Sequence, residues 1–118
     1  MKIKILIPVY NDWKSVFKVL DEVNNLDLNR EFYISVIIIN DASNHDLPNI
    51  EKDFENIESI KILNMTKNQG HTRSIAVGLK YIFEKEDFDY AIPMDGDGED
   101  RPEEIKVFLD QAMNFKGK

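Results

Sequence analysis

At 118 residues with a formal net charge of −7, the chain is one domain with room for a single modest core. Hydrophobic residues make up 42% and charged residues 31%, as in soluble globular proteins, and an acidic balance without a basic stripe excludes nucleic acid as a partner. The absence of cysteine excludes zinc–thiolate sites and disulfides, and no apolar run approaches the roughly 20 residues of a membrane span.

The first element, KIKILIPVY (residues 2–10), is rich in β-branched residues and runs through Pro8, which predicts a strand entering a loop. It is too short and wrongly flanked for a signal peptide, so a soluble, cytoplasmic protein is expected, membrane-associated if part of a longer chain. From Trp13 the spacing becomes helical, with Val16, Val19, Leu20, Val23 and Leu26 on one face and Asn11 or Asp12 as N-cap. FYISVIIIN (32–40) is a nearly continuous apolar run, the pattern of a strand buried on both faces. A polar turn, DASNHDLPN, leads to a short helix expected around residues 50–57, and SIKILNM (59–65) reads as a third strand. Between His71 and Glu86, residues Ile75, Ala76, Leu79, Ile82 and Phe83 recur at helical spacing. DYAIPM (89–94) is the fourth strand. A last helix is expected from Arg101-Pro102, with Ile105, Phe108, Leu109, Ala112 and Met113 inward and Gly117 at its end.

Strands alternating with helices predict an α/β domain, a Rossmann-like parallel sheet with helices on both faces. Four such strands most simply take the order 3-2-1-4. Ligands of these sheets bind outside the carboxyl ends, at the reversal between the first and fourth strands.

The unusual polar residues fall at those carboxyl ends: Tyr10, Asn11 and Asp12; Asn40, Asp41, Ser43 and Asn44; Asn68, Gln69, Gly70 and Arg73; Asp95, Asp97 and Glu99. In MDGDGED (94–100), Asp95 and Asp97 flank Gly96 and can direct oxygens at one hard cation such as Mg²⁺ or Mn²⁺, with Glu99 as a third ligand. The alternative is a solvated acidic turn. An EF-hand fits poorly, because Asp100 stands where that loop needs glycine and Lys106 where it needs glutamate. Gly70-His-Thr-Arg73 offers backbone N–H groups and a guanidinium at a helix start, a seat for diphosphate. Read without a ligand, Asn68 or Thr72 caps that helix and Arg73 is merely solvated. Tyr10 either stacks on a base or rims the core, and Asp41 either accepts from a base or caps its own turn.

Together IPVYND, IIINDASNHD, NQGHTRSIAVGL and MDGDGEDRPEE resemble, in the right order, the nucleotide-sugar-binding half of the family 2 glycosyltransferases of the GT-A fold. The form of the last motif is similar to the branch that glycosylates polyprenyl phosphates, like the dolichyl-phosphate mannose synthases. Glu99 stands where that branch often has glutamine, and Ala42 replaces the glycine of the usual D-D-G-S. The resemblance implies a nucleotide pocket edged by Pro8, Tyr10 and Asp12, with Asp41 hydrogen-bonding the base. It places Asn68, Gly70 and Arg73 near the pyrophosphate and base, Asp95 near the ribose or sugar, and Asp97 on the metal.

The implied donor is a UDP- or GDP-linked sugar and the acceptor a polyprenyl phosphate or a saccharide. The family's acceptor site and general base follow the D-x-D helix, so residues 1–118 are expected to form one donor-binding domain without the acceptor half. The fourth strand is then an exposed edge, which predicts a homo-oligomer paired through it. Two other readings compete: a non-catalytic nucleotide-sugar-binding module, and an unrelated α/β domain with an acidic turn. The lack of G-x-G-x-x-G after the first strand weighs against a dinucleotide-binding protein, and a lone acid in YND against a receiver domain.

Overall fold

The computed structural model describes residues 1–26, 32–44, 54–94, 104–107 and 109–111. They form β1 (Lys2–Val9), α1 (Trp13–Asn24), β2 (Tyr33–Asn40), β3 (Ser59–Asn64), α2 (His71–Lys85) and β4 (Tyr90–Pro93). Residues 104–107 and 109–111 are also helical. The four strands make one parallel sheet in the order β3-β2-β1-β4, the expected topology. β1 lies against β2 from Lys2↔Tyr33 to Val9↔Asn40, while its pairing with β4 runs only from Ile3↔Tyr90 to Leu6↔Pro93.

Side-chain alternation along the central strands sorts the core into two layers. Ile3, Ile5, Ile7 and Val9 of β1, with Ile34, Val36 and Ile38 of β2, pack with α1 and with Ile105 and Leu109. Leu6, Ile37 and Ile39 pack on the other face with Ile82 of α2. Both central strands are apolar on both faces because both faces are covered. Burying each Ile or Leu side chain contributes on the order of 1.5–3 kcal/mol, which makes β1 and β2 the anchor of the fold.

α1 begins where expected. Asp12 is its N-cap, the carboxylate accepting from the Ser15 N–H at 3.3 Å and from the Ser15 hydroxyl at 2.7 Å. Trp13, Val16, Val19, Leu20 and Val23 form its buried face. α2 sits differently from its periodicity. Its buried line is Ser74, Gly78 and Ile82, while Ala76 is exposed and Phe83 is 71% exposed. The small residues set this rotation: a Cβ on Gly78 would lie 2.4 Å from Leu6 Cδ1 and 3.0 Å from Ile39 Cδ1. The helix therefore approaches the sheet along its smallest side chains, and Ile75 and Leu79 are half-buried beside that line. Lys61 of β3 reaches Glu86, just past α2, at 2.8 Å, and this hydrogen bond holds the ammonium pKa above its ordinary value.

The helix expected around residues 50–57 is absent over its described part. Glu55 and Asn56 form a turn. Asn56 bonds through both its backbone N–H and its side-chain amide to Asn24 at the end of α1, so its local hydrogen bonds are diverted from a helix. In the last helix Ile105 and Leu109 are buried as expected, while the side chains of Phe108, Ala112 and Met113 lie outside the described residues.

Candidate functional site

Parallel pairing brings the carboxyl ends of all four strands to one edge of the sheet. Pro8 shapes that edge. Backbone groups of even-numbered β1 residues face β4, as Met94 N–H donating to Leu6 carbonyl at 2.8 Å shows. Pro8 faces the same way and has no N–H to continue the ladder. Pairing with β4 stops at Leu6↔Pro93, while pairing with β2 continues to Val9↔Asn40. The described β1–β4 ladder therefore ends short of the β1–β2 ladder, at the predicted reversal. Met94, the last described residue before the acidic motif, is buried in the same cluster as Ile105 and Leu109.

Beyond Pro8 the β1 and β2 ends are bound together. Asn11, at φ 66°, donates its N–H to Ser43 Oγ at 2.9 Å and accepts the Asn44 N–H on its Oδ1 at 2.7 Å. Asn44 Nδ2 donates to the Tyr10 hydroxyl at 2.9 Å, which leaves the ring 46% exposed above the edge. Asn40 Oδ1 accepts the Ser43 N–H at 3.1 Å, and Asn40 Nδ2 donates to Asn64 Oδ1 of β3 at 3.0 Å. Ala42, where the resembling family has glycine, adopts φ 57°.

Asp41 is 4% exposed and joins the β2 end to the start of α2. Its Oδ1 accepts the Gln69 N–H at 2.7 Å and its Oδ2 the Gly70 N–H at 2.9 Å. Its carbonyl accepts from Asn68 Nδ2 at 3.2 Å. Gly70, at φ 90° and ψ 166°, is the N-cap of α2 and makes no side-chain cap bond. That backbone region belongs almost wholly to glycine. A shallow depression at the start of α2 is lined by Gln69, Gly70, His71, Thr72, Arg73, Ala76 and Val77. Arg73 is exposed there, with no acid paired to it among the described residues.

Of the residues singled out from the sequence, Pro8, Tyr10, Asp12, Asp41, Asn68, Gly70 and Arg73 all lie along this edge. Tyr10 joins the hydrogen bonds between the β1 and β2 ends, Asp41, Asn68 and Gly70 form a second group at the start of α2, and Asp12 is occupied as the α1 cap. Asp95, Asp97 and Glu99 lie outside the described residues. No group of three His, Asp or Glu residues arranged to hold a metal ion occurs among the described residues. Sequence reasoning noted Asn40, Ser43 and Asn44 only as part of a polar gathering and gave Asn64 no place in it. An asparagine at each of three successive strand ends was the available signal.

Residues 4–115 match the model of Glycosyl transferase family 2. Among relatives, an uncharacterized protein of Methanocaldococcus jannaschii is 26% identical over 106 residues, covering 88% of this chain and 44% of that protein. The undecaprenyl-phosphate 4-deoxy-4-formamido-L-arabinose transferase of Aeromonas hydrophila is 30% identical over 117 residues, covering 94% of this chain and 33% of that protein. The chain thus spans between a third and under half the length of these relatives. The crystal structure of S. aureus TarS 1-349 superposes with a TM-score of 0.67 at 21% identity, covering 94% of this chain and 33% of that one. That likeness, together with the 3-2-1-4 sheet, identifies the fold as an α/β half of the GT-A type. No helix among the described residues is long and apolar enough to cross a membrane. The family match spans nearly the entire chain, and the chain belongs to glycosyl transferase family 2.

Proposed function

We propose that this chain binds a UDP- or GDP-linked sugar at the carboxyl edge between β1 and β4 and acts in transferring the sugar to an acceptor. One observation carries the reading: hydrogen bonds tie the end of β1 to the β2 end and the β2 end to the start of α2, at the edge where the β1–β4 ladder stops. In this reading Tyr10 meets the base with its exposed ring, and Asp12 borders the pocket from the start of α1. Asp41, with Asn68 and Gly70, fixes the loop that presents the α2 N-terminus, and Asp41 also faces the base. The α2 N–H groups and Arg73 favour the diphosphate. Asp95, Asp97 and Glu99 hold Mg²⁺ or Mn²⁺, with Asp95 also near the sugar or ribose. A divalent cation held there supplies counter-charge for the diphosphate as it leaves the anomeric carbon.

Two relatives carry the name undecaprenyl-phosphate transferase, which supports a polyprenyl phosphate over a saccharide as acceptor. A phosphate nucleophile is already ionised and needs no general base. Self-association through β4, an edge of the sheet among the described residues, completes the proposal. A strictly monomeric protein by light scattering at micromolar concentration counts against that last part.

The deciding test is calorimetric titration of UDP and GDP, with Mn²⁺ and with EDTA, on wild type and Asp97→Ala. Metal-dependent binding of one nucleotide, lost in the variant, is expected. No binding to folded wild type overturns the reading. Sugar transfer to added polyprenyl phosphate then separates catalysis from binding alone.

A further inference from the structure

The hydrogen bonds at the β1 and β2 ends converge on one side chain that the donor reading leaves without a role. Asn44 makes two contacts of different kinds. Its backbone N–H donates to Asn11 Oδ1 at 2.7 Å, while its side-chain amide donates to the Tyr10 hydroxyl at 2.9 Å. The first bond, with Asn11 N–H to Ser43 Oγ, holds the two loops in register. The second spans the same two loops and ends on the Tyr10 hydroxyl. Its effect falls on the Tyr10 ring, which is 46% exposed and has no core packing to fix it.

We propose that Asn44 is a positioning residue for nucleotide recognition: it fixes the Tyr10 ring in advance as the aromatic wall against which the donor's base stacks. The inference rests on the donor-site reading above. A free tyrosine at a pocket rim must be ordered by the ligand that stacks on it, and that ordering weakens binding. Asn44 transfers the cost to folding, because the loop that carries it is already tied to Asn11. Asn44 thus acts on the base through Tyr10 and touches neither sugar nor diphosphate.

The test is a double-mutant cycle in nucleotide affinity, with GDP and UDP as probes in the presence of Mn²⁺, on wild type, Asn44→Ala, Tyr10→Phe and the double variant. Asn44→Ala keeps the backbone N–H and its bond to Asn11, so the loops stay joined and only the tie to the hydroxyl is lost. Affinity is expected to fall roughly threefold to tenfold in Asn44→Ala, the scale of ordering one side chain. Tyr10→Phe, which removes the hydroxyl and keeps the stacking face, is expected to fall by a similar factor. Adding Asn44→Ala to Tyr10→Phe is then expected to change nothing further. A merely structural Asn44 would cost affinity equally in both backgrounds, and that additive result overturns the inference. So does wild-type affinity in Asn44→Ala. Failure of wild type to bind either nucleotide overturns the donor reading itself, a distinct outcome.

Discussion

Asp41 gives both carboxylate oxygens to the backbone of a loop 28 and 29 residues further on, and it does so while almost fully buried. Hydrogen bonds donated to a carboxylate contribute about 1.5–3 kcal/mol, and an orphaned buried N–H costs about 1–3 kcal/mol. Asn at this position has one acceptor for two N–H donors and turns an amine toward the second. Asp41→Asn is therefore expected to lower stability by about 2 kcal/mol in the absence of any ligand, read as a lower urea midpoint at unchanged slope. An unchanged midpoint would mean that the carboxylate does not hold the loop. The neighbouring Ala42 at φ 57° carries the left-handed strain of a non-glycine residue, roughly 1–2 kcal/mol. Glycine relieves it and loses about 0.5–1 kcal/mol to chain entropy. Ala42→Gly should raise stability by about 0.5–1 kcal/mol, and a lower melting temperature would show that the Cβ contributes packing instead. Asp41, Asn68 and Gly70 were each legible in the sequence as residues of interest. Their bonds to one another were not, because partners 27 to 29 residues apart meet only through sheet register.

The strands and helices followed from periodicity and punctuation: the β-branched runs of β1 and β2, the apolar run of β4, and the Asp12 cap. What periodicity misjudged was the rotation of α2. Counting apolar residues places Phe83 inward, yet the helix turns Ser74 and Gly78 to the sheet because only small side chains permit so close an approach. Gly78→Ala measures that closeness. In an open helix the substitution gains about 1 kcal/mol of propensity. Here the new methyl meets Leu6, which is fully buried, and overpacking costs about 1–3 kcal/mol. A net loss of about 1 kcal/mol in denaturant unfolding is expected, and a net gain would mean that Leu6 moves aside freely. Over residues 54–57, its described part, the expected helix is absent for the opposite reason. Its apolar residues fit a helix, but Asn24 supplies Asn56 with better partners outside one.

For the molecule as a whole, the order 3-2-1-4 was legible because short right-handed crossovers leave few arrangements for four parallel strands. That order places the proposed site, since every strand delivers its carboxyl end to one edge and the β1–β4 pairing ends there at Leu6↔Pro93. The net charge of −7 bears on what this edge can hold. A nucleoside diphosphate is an anion, and Arg73 is the sole arginine or lysine among the described residues lining the depression at the α2 N-terminus. Affinity for the diphosphate should therefore depend on a cation carried by the acidic motif rather than on the chain alone. Binding to the folded state alone stabilises it by about 2.7 kcal/mol at a ligand concentration of 100 Kd. In a domain of this size that raises Tm by on the order of 10 °C. Nucleotide and Mn²⁺ together should produce this shift in a thermal melt, while nucleotide with EDTA or Mn²⁺ alone should give a small part of it. Asp97→Ala should abolish the joint effect and leave the unliganded Tm nearly unchanged. An equal shift in EDTA would assign diphosphate binding to Arg73 and the α2 N–H groups, and would remove the metal from the proposed mechanism.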